Sequence, residues 1–214
     1  MAHEPLLAVK VWGDFACFTR PEMKVERVTY PVMTPSAARG VLEAIFWKPE
    51  FRWRVADIAV LKPIHYTSLL RNEVNSRASE RTAQDWAKNG GGFFAEDDRA
   101  QRNTLALRDV AYVIRAEALP HTGDPGDRAK YRDQFRRRVE RGQCYATPYL
   151  GCREWSASFS PPDGAEQPIP DTTDLGRMLL GIDYAPGGKG TGAPRFFEAR
   201  LERGILRVPH EEVG

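Results

Sequence analysis

Apolar and polar side chains alternate at the start of the chain. Across residues 6–14, Leu7, Val9 and Val11 fall on one side and Ala8, Lys10 and Trp12 on the other. This period of two predicts a strand. The period lengthens over residues 35–47, where Ala38, Val41, Leu42 and Ile45 recur at helical spacing. Thr34 can cap that helix, Pro35 suits its first position and Pro49 stops it. Residues 51–61, rich in Trp, Val and Ile, predict a second strand. Its alternation changes phase near Ala56 and Asp57, as at a bulge. In residues 109–119, Val110, Tyr112 and Ile114 alternate with Ala111, Val113 and Arg115, which predicts a third strand. A second helix follows, with Asp124 or Asp127 as cap and Arg141-Gly142 as its C-terminal signal. Tyr131, Phe135 and Val139 form its apolar stripe. Residues 145–159 then predict a long strand region.

The order strand, helix, strand, strand, helix, strand predicts an α+β fold of the ferredoxin-like (RNA-recognition-motif-like) βαββαβ type, with both helices on one face of an antiparallel sheet. That domain would span residues 1–160. Residues 71–104 carry six basic and six acidic side chains, the run Gly90-Gly91-Gly92 and little periodicity, so they are expected to be an irregular insertion. A stretch rich in Pro, Asp and Gly covers residues 160–173. Short strands within 175–184 and 196–208, the last hairpin turned by Arg203-Gly204, predict a small C-terminal antiparallel β domain over 161–214.

Composition narrows the class. At 42% hydrophobic and 28% charged residues, the chain is a globular protein rather than a disordered one. It has no run near the roughly 18 apolar residues of a membrane span, and its start does not resemble a signal peptide. A cytoplasmic protein without membrane contact is expected. Three widely spaced cysteines (Cys17, Cys144, Cys152) fit neither a disulfide framework nor a four-thiolate zinc site. The net charge of +2 hides a concentration of cations. Residues 127–141 hold Arg128, Lys130, Arg132, Arg136, Arg137, Arg138 and Arg141 against Asp127, Asp133 and Glu140. Arg128, Arg132 and Arg136 form a row beside the apolar stripe. A face of this kind is either simply solvated or a phosphate-binding surface.

The remaining motifs exclude more than they assign. The loop Gly187-Gly188-Lys189-Gly190-Thr191-Gly192 lacks the Ser or Thr that must follow the lysine of a P-loop. His3, His65, His121 and His210 are scattered, and no Cys or Ser has a visible His partner. Neither a metal nor a cofactor is expected.

Several stretches, in order along the chain, carry a resemblance to a known family. They are residues 11–19 (Val-Trp-Gly-Asp-Phe-Ala-Cys-Phe-Thr), Ile45-Phe46-Trp47-Lys48-Pro49, Leu61-Lys62-Pro63-Ile64, Arg71-Asn72-Glu73-Val74 and Gln101-Arg102-Asn103-Thr104-Leu105. Leu150-Gly151-Cys152-Arg153-Glu154 and the stretch from Asp174 to Tyr184 continue the series. The chain resembles the CRISPR-associated Cas-five family of the type I-C system, the d/c subtype, over about residues 8–210. The resemblance implies a metal-independent endoribonuclease that cleaves the repeat hairpin of precursor CRISPR RNA. It also implies that the protein stays on the 5′ handle of the mature guide RNA, beside other protein subunits of the type I-C surveillance complex; DNA affinity is left open. The family's proposed catalytic set is a Tyr at the end of the first helix and a Lys-His pair at the start of the second. By position these become Phe46, Lys130 and Tyr131, so only the lysine is retained.

Cleavage without metal by 2′-OH attack leaves a 2′,3′-cyclic phosphate and a 5′-OH. Lys130, in the first turn of the predicted helix, could stabilise the phosphorane as a cation. Alternatively, crowding by arginines could lower its pKa enough for general-base work. Tyr131 could orient the 2′-OH or supply a proton, or simply pack in the core. Arg71, Arg77, Arg81, Arg102, Arg128, Arg132 and Arg136 would hold the RNA backbone, while Trp12, Phe46 and Trp47 either stack bases or pack. With two catalytic positions changed, the alternative is a non-catalytic subunit that binds and caps the 5′ handle.

Overall fold

The computed structural model describes residues 6–23, 25–76, 79–121, 125–184 and 192–209. The longest element is β5 (Arg99–Pro120), and most of the sheet is built along it. On one edge, β1 (Leu7–Ala16) pairs antiparallel with it from Leu7↔Ala116 to Ala16↔Leu107. Beyond β1 lies the short β6 (Ser158–Ser160), while β2 (Arg27–Val28) runs parallel to β5 at Thr104 and Leu105. On the other edge two strands share β5. Its C-terminal half takes β3 (Phe51–Val60), and its N-terminal half takes β4 (Tyr66–Val74).

The change of partner falls at Asp109, whose φ of 52° lies in the left-handed region. Asp tolerates that conformation better than most residues. The connection 61–65 is tied around this corner: Leu61 N–H donates to Ala111 O and Arg108 N–H to His65 O, both at 2.9 Å. Three C-terminal strands, β7 (Thr173–Asp183), β8 (Ala193–Glu202) and β9 (Ile205–Arg207), continue the sheet through β9 on β3. The strand order is therefore β6-β1-β5-β3-β9-β8-β7, in one curled sheet that is antiparallel apart from β2.

Two helices cover the sheet. In α1 (Pro35–Ile45), Thr34 Oγ1 accepts from Ala37 N–H at 3.3 Å, as the cap signal predicts. This helix packs between β3 and β7, and it touches the 16-residue α3 (Pro125–Glu140), which lies on β5 and β1. Ala38, Val41, Leu42 and Ile45 from α1 share one core with Tyr131, Phe135 and Val139 from α3. Met178, Leu201 and Leu206 of the C-terminal strands join that same core. Each such side chain contributes about 1.5–3 kcal/mol by leaving water.

The bulge expected near Ala56 appears as a register shift between Val55 and Asp57. Arg203 (φ 47°) and Gly204 (φ 73°) turn the last hairpin as expected. Three expectations need correction. Residues 71–104 are not irregular, for β4 ends within them, α2 (Glu80–Asn89) occupies their middle and β5 begins at Arg99. The β4–β5 ribbon pairs Arg71 with Arg102, Asn72 with Gln101 and Leu70 with Asn103. Because polar side chains occupy both of its faces, no apolar period marks it. Residues 145–159 form turns rather than a long strand, and only β6 and an isolated Tyr149–Ser156 bridge are extended pairings. Finally, α3 starts at Pro125, so Lys130 sits in the second turn, beyond the free amides of the first. No helix among the described residues is long and apolar enough to cross a membrane.

Candidate nucleic-acid interface

The apolar stripe of α3 fixes where its cations point. Tyr131 is 3% exposed, and its ring lies 4.8 Å from that of Phe51 and 6.3 Å from that of Phe46. Phe135 meets Trp53 edge-on at 4.8 Å. These contacts hold one side of the helix against α1 and β3. Burial raises the Tyr131 phenol above its ordinary pKa, and the carboxylates of Asp127 and Glu50 push the same way. Tyr131 is therefore a hydrogen-bond donor at neutral pH, not a base.

At about 100° per residue, the cations of α3 divide into two flanks of that stripe. Arg132 and Arg136 lie to one side. Lys130 and Arg137 lie to the other, roughly 140–160° from Arg132. The predicted basic row and the predicted catalytic lysine therefore do not share a face. Lys130 is exposed, with its Nζ 5.4 Å from the Tyr131 ring centroid. Arg128 and Arg132 are half-buried and Arg136 is exposed.

Arg138 has a structural task. Its Nη1 donates to Ile45 O at 2.9 Å, satisfying a carbonyl at the C-terminal end of α1, and its guanidinium lies 5.3 Å from the Phe46 ring centroid. Phe46 itself is buried, and its carbonyl accepts from Trp53 Nε1 at 2.8 Å. The position that the family resemblance equates with a catalytic tyrosine is thus part of the core.

The other predicted arginines are elsewhere. Arg71 on β4 and Arg102 on β5 are cross-strand partners. Arg71 pairs with Glu154 at 2.5 Å and Glu73 at 3.7 Å, while Arg102 Nη2 donates to Asn75 Oδ1 at 3.1 Å. Arg81 is exposed on α2. Arg77 and the glycine-lysine loop lie outside the described residues. From Arg102 to Pro120, beside the start of α3, β5 runs for about 60 Å of strand path. Arg71 and Arg102 thus pair near the N-terminal end of β5, whereas α3 follows its C-terminal end.

Sequence reasoning missed Tyr145. It is 78% exposed, and its N–H donates to Ala44 O at 2.8 Å, which docks it at the end of α1. Trp47, 52% exposed, follows that same end. Exposed aromatics of this kind can stack unpaired bases. Tyr145 gave no signal because it lies in the segment read as a strand. Trp12 is at the edge of exposure on β1. Among the described residues, no group of three or more His, Cys, Asp or Glu side chains is placed to hold a metal ion.

The family model described as CRISPR-associated protein (Cas_Cas5), of the Cas5d group, matches residues 6–209. A relative from Thermus thermophilus is 48% identical, over 96% of this chain and 92% of its own length. A second, from Mannheimia succiniciproducens, is 43% identical over 95% and 94%. Both are named CRISPR pre-crRNA endoribonuclease Cas5d. Two solved structures share the fold. One is a CRISPR-associated protein (TM-score 0.67, 20% identity, 96% of this chain and 92% of that one). The other is a functionally uncharacterized protein from Streptococcus mutans (TM-score 0.66, 18% identity, 96% and 92%).

Proposed function

The chain belongs to the Cas5d family of CRISPR-associated proteins, and from that membership we propose that it is an endoribonuclease cutting the repeat hairpin of precursor CRISPR RNA. The observation that carries this reading is 48% identity, over 96% of the chain, to a relative named for that activity. The reaction is metal-independent: the ribose 2′-OH attacks the adjacent phosphate, and the products are a 2′,3′-cyclic phosphate and a 5′-OH.

Lys130, exposed on α3, supplies positive charge to the phosphorane, where a developing anion gains most from a fixed cation. Tyr131 stays protonated through the neutral range, so its part is to donate a hydrogen bond or to hold Lys130 in place. Arg128, Arg132 and Arg136 bind backbone phosphates beside the helix. Arg71, Arg77, Arg81 and Arg102 add further phosphate contacts. Shape, phosphates and single-stranded flanks dominate recognition, because the A-form major groove is too deep and narrow to read.

After cleavage the protein remains on the 5′ handle in the cytoplasm, as a subunit of the type I-C surveillance complex with other protein subunits and with DNA within reach. A ferredoxin-like assignment for residues 1–160 is supported by the β6-β1-β5-β3 order with α1 and α3 in mutual contact. The mutual pairing of β7, β8 and β9 supports treating residues 161–214 as a small β unit.

One observation favours a second reading, an RNA-binding subunit without cleavage. Phe46 is buried and has no hydroxyl, and Tyr131 is buried beside it. The purified chain incubated with its cognate repeat RNA in EDTA, followed by end-group analysis, separates the two. A cyclic phosphate and a 5′-OH support the enzyme. Tight binding with intact RNA, in EDTA and in magnesium alike, supports the subunit.

A further inference from the structure

Away from α3, two thiols meet. Cys17 follows the end of β1 and is fully buried, and Cys152, in the 150–157 turn, is 8% exposed. They are separated by 135 positions in sequence. The backbone brings them together: Cys17 N–H donates to Leu150 O at 3.0 Å, and Cys152 Sγ lies 3.9 Å from Cys17 O. Gly151 makes this approach possible. It adopts φ +87°, and a Cβ there would stand 2.0 Å from Cys17 O. Both side chains sit in one small buried cluster, where Cys17 Sγ donates to Leu105 O at 3.9 Å. Ala106, Leu69 and Trp155 wall the pair. Cys144, the third cysteine, is exposed.

A cation adjoins the pair. Arg27 Nη1 lies 3.6 Å from Cys152 Sγ, and the same guanidinium pairs with Glu154 at 3.2 Å and Glu73 at 3.5 Å. Arg71 closes the network onto Glu154 and Glu73. Thr19 Oγ1 is 3.5 Å from Cys17 Sγ. The adjacent Cys17 thiol holds the Cys152 thiol down to about 7; Arg27 acts in the same direction, while burial and Glu154 oppose it. The neighbouring Cys152 thiol and burial push Cys17 up, so it keeps its proton. The arrangement sets two thiols side by side, with a guanidinium beside Cys152 that favours its thiolate form.

We propose that Cys17 and Cys152 are an oxidation site that closes to a reversible disulfide in the presence of hydrogen peroxide. The Cys152 thiolate attacks one peroxide oxygen, the O–O bond breaks, and hydroxide leaves a sulfenic acid on Cys152. Cys17 sulfur then attacks Cys152 sulfur. The S–O bond breaks, and the Cys17 proton departs with the hydroxyl as water. Each sulfur gives up one electron, and the peroxide takes both. Closure ties the end of β1 to the 150–157 turn and removes the anion opposite Arg27, leaving that guanidinium to Glu73 on β4 and to Glu154. Disulfides that do form outside an oxidising compartment are usually transient and redox-sensing rather than structural.

The test uses the full chain, reduced, freed of reductant and exposed to hydrogen peroxide, then alkylated and digested without reductant for mass spectrometry. The expected product is a peptide pair joined through residues 17 and 152, lost on adding dithiothreitol, with Cys144 recovered alkylated. Cys144→Ser should give the same link. In Cys17→Ser, Cys152 should instead be trapped as sulfenic acid by dimedone. Circular dichroism verifies that each variant is folded. Recovery of Cys17 and Cys152 as free thiols after peroxide, or links that form only through Cys144, would overturn the proposal.

Discussion

The Lys130 ammonium stands 5.4 Å from the centroid of the Tyr131 ring, the lysine in solvent and the ring buried against Phe51 and Phe46. Adjacent residues thus have different work. Lys130→Ala should lower cleavage by about 100-fold or more, the scale of losing one charge-stabilising donor. Repeat-RNA affinity should fall much less, since many arginines share the binding. Single-turnover kinetics beside a binding titration check this, and an equal loss in both would make Lys130 a binding residue only. Tyr131→Phe keeps the packing and removes the hydroxyl. A drop in rate at unchanged melting temperature would identify the hydroxyl as a participant. Tyr131→Ala should cost about 3–5 kcal/mol of stability whatever its role.

Three arginines on the same helix should separate by assay. Arg138 satisfies Ile45 O and covers Phe46, so Arg138→Ala should destabilise the fold by about 1–3 kcal/mol. The pair Arg132→Ala and Arg136→Ala should instead weaken RNA binding. If both contact phosphates, the plot of log affinity against log salt should flatten by roughly 1.5. An unchanged slope would exclude that flank from the RNA interface.

Gly151→Ala tests the close approach of the 150–157 turn to Cys17. The added Cβ would overlap Cys17 O at 2.0 Å in a backbone region with φ +87°. The expected loss is about 3 kcal/mol, or a fall of roughly 6–12 °C in melting temperature for a chain of this size. A melting temperature within one or two degrees of wild type would show that the turn is free to move.

Glu166 supplies a pH dependence with a definite sign. Its carboxylate accepts from Asp163 N–H and Gly164 N–H, both at 3.0 Å, and pairs with Lys10 at 3.1 Å. Although burial opposes ionisation, these donors hold its pKa down to about 2 against an ordinary 4.5. The folded value lies below the unfolded one, so the stabilisation is complete above about 4.5 and disappears as pH falls toward 2. Glu166→Gln should therefore melt lower than wild type at pH 7, with a gap that narrows through that window. A gap independent of pH would assign the effect to packing.

Much of the framework was legible along the chain. Period two in residues 6–14 and 109–119, the Thr34-Pro35 start and the phase change at Ala56 all have local causes, and each appears in the structure. The arm of β4 and α2 was not legible. Its pairs, such as Arg71 with Arg102, are polar on both faces, so burial leaves no pattern there. The segment after α3 misled for a different reason: its apolar residues are buried by turns that Gly151 permits, not by a strand.

The candidate chemistry divides in the same way. The sequence by itself determined that α3 would carry a dense set of cations beside a stripe of Tyr131, Phe135 and Val139, because helical period ties residue spacing to face. Only the tertiary structure decided what each cation meets: Arg138 a carbonyl of α1, Arg71 the carboxylate of Glu154, Lys130 open solvent. It alone brought Cys17 to Cys152 across 135 positions. Periodicity records which face of an element leaves water. Contacts between distant charges and thiols depend on strand pairing and turn geometry, which no local spacing encodes.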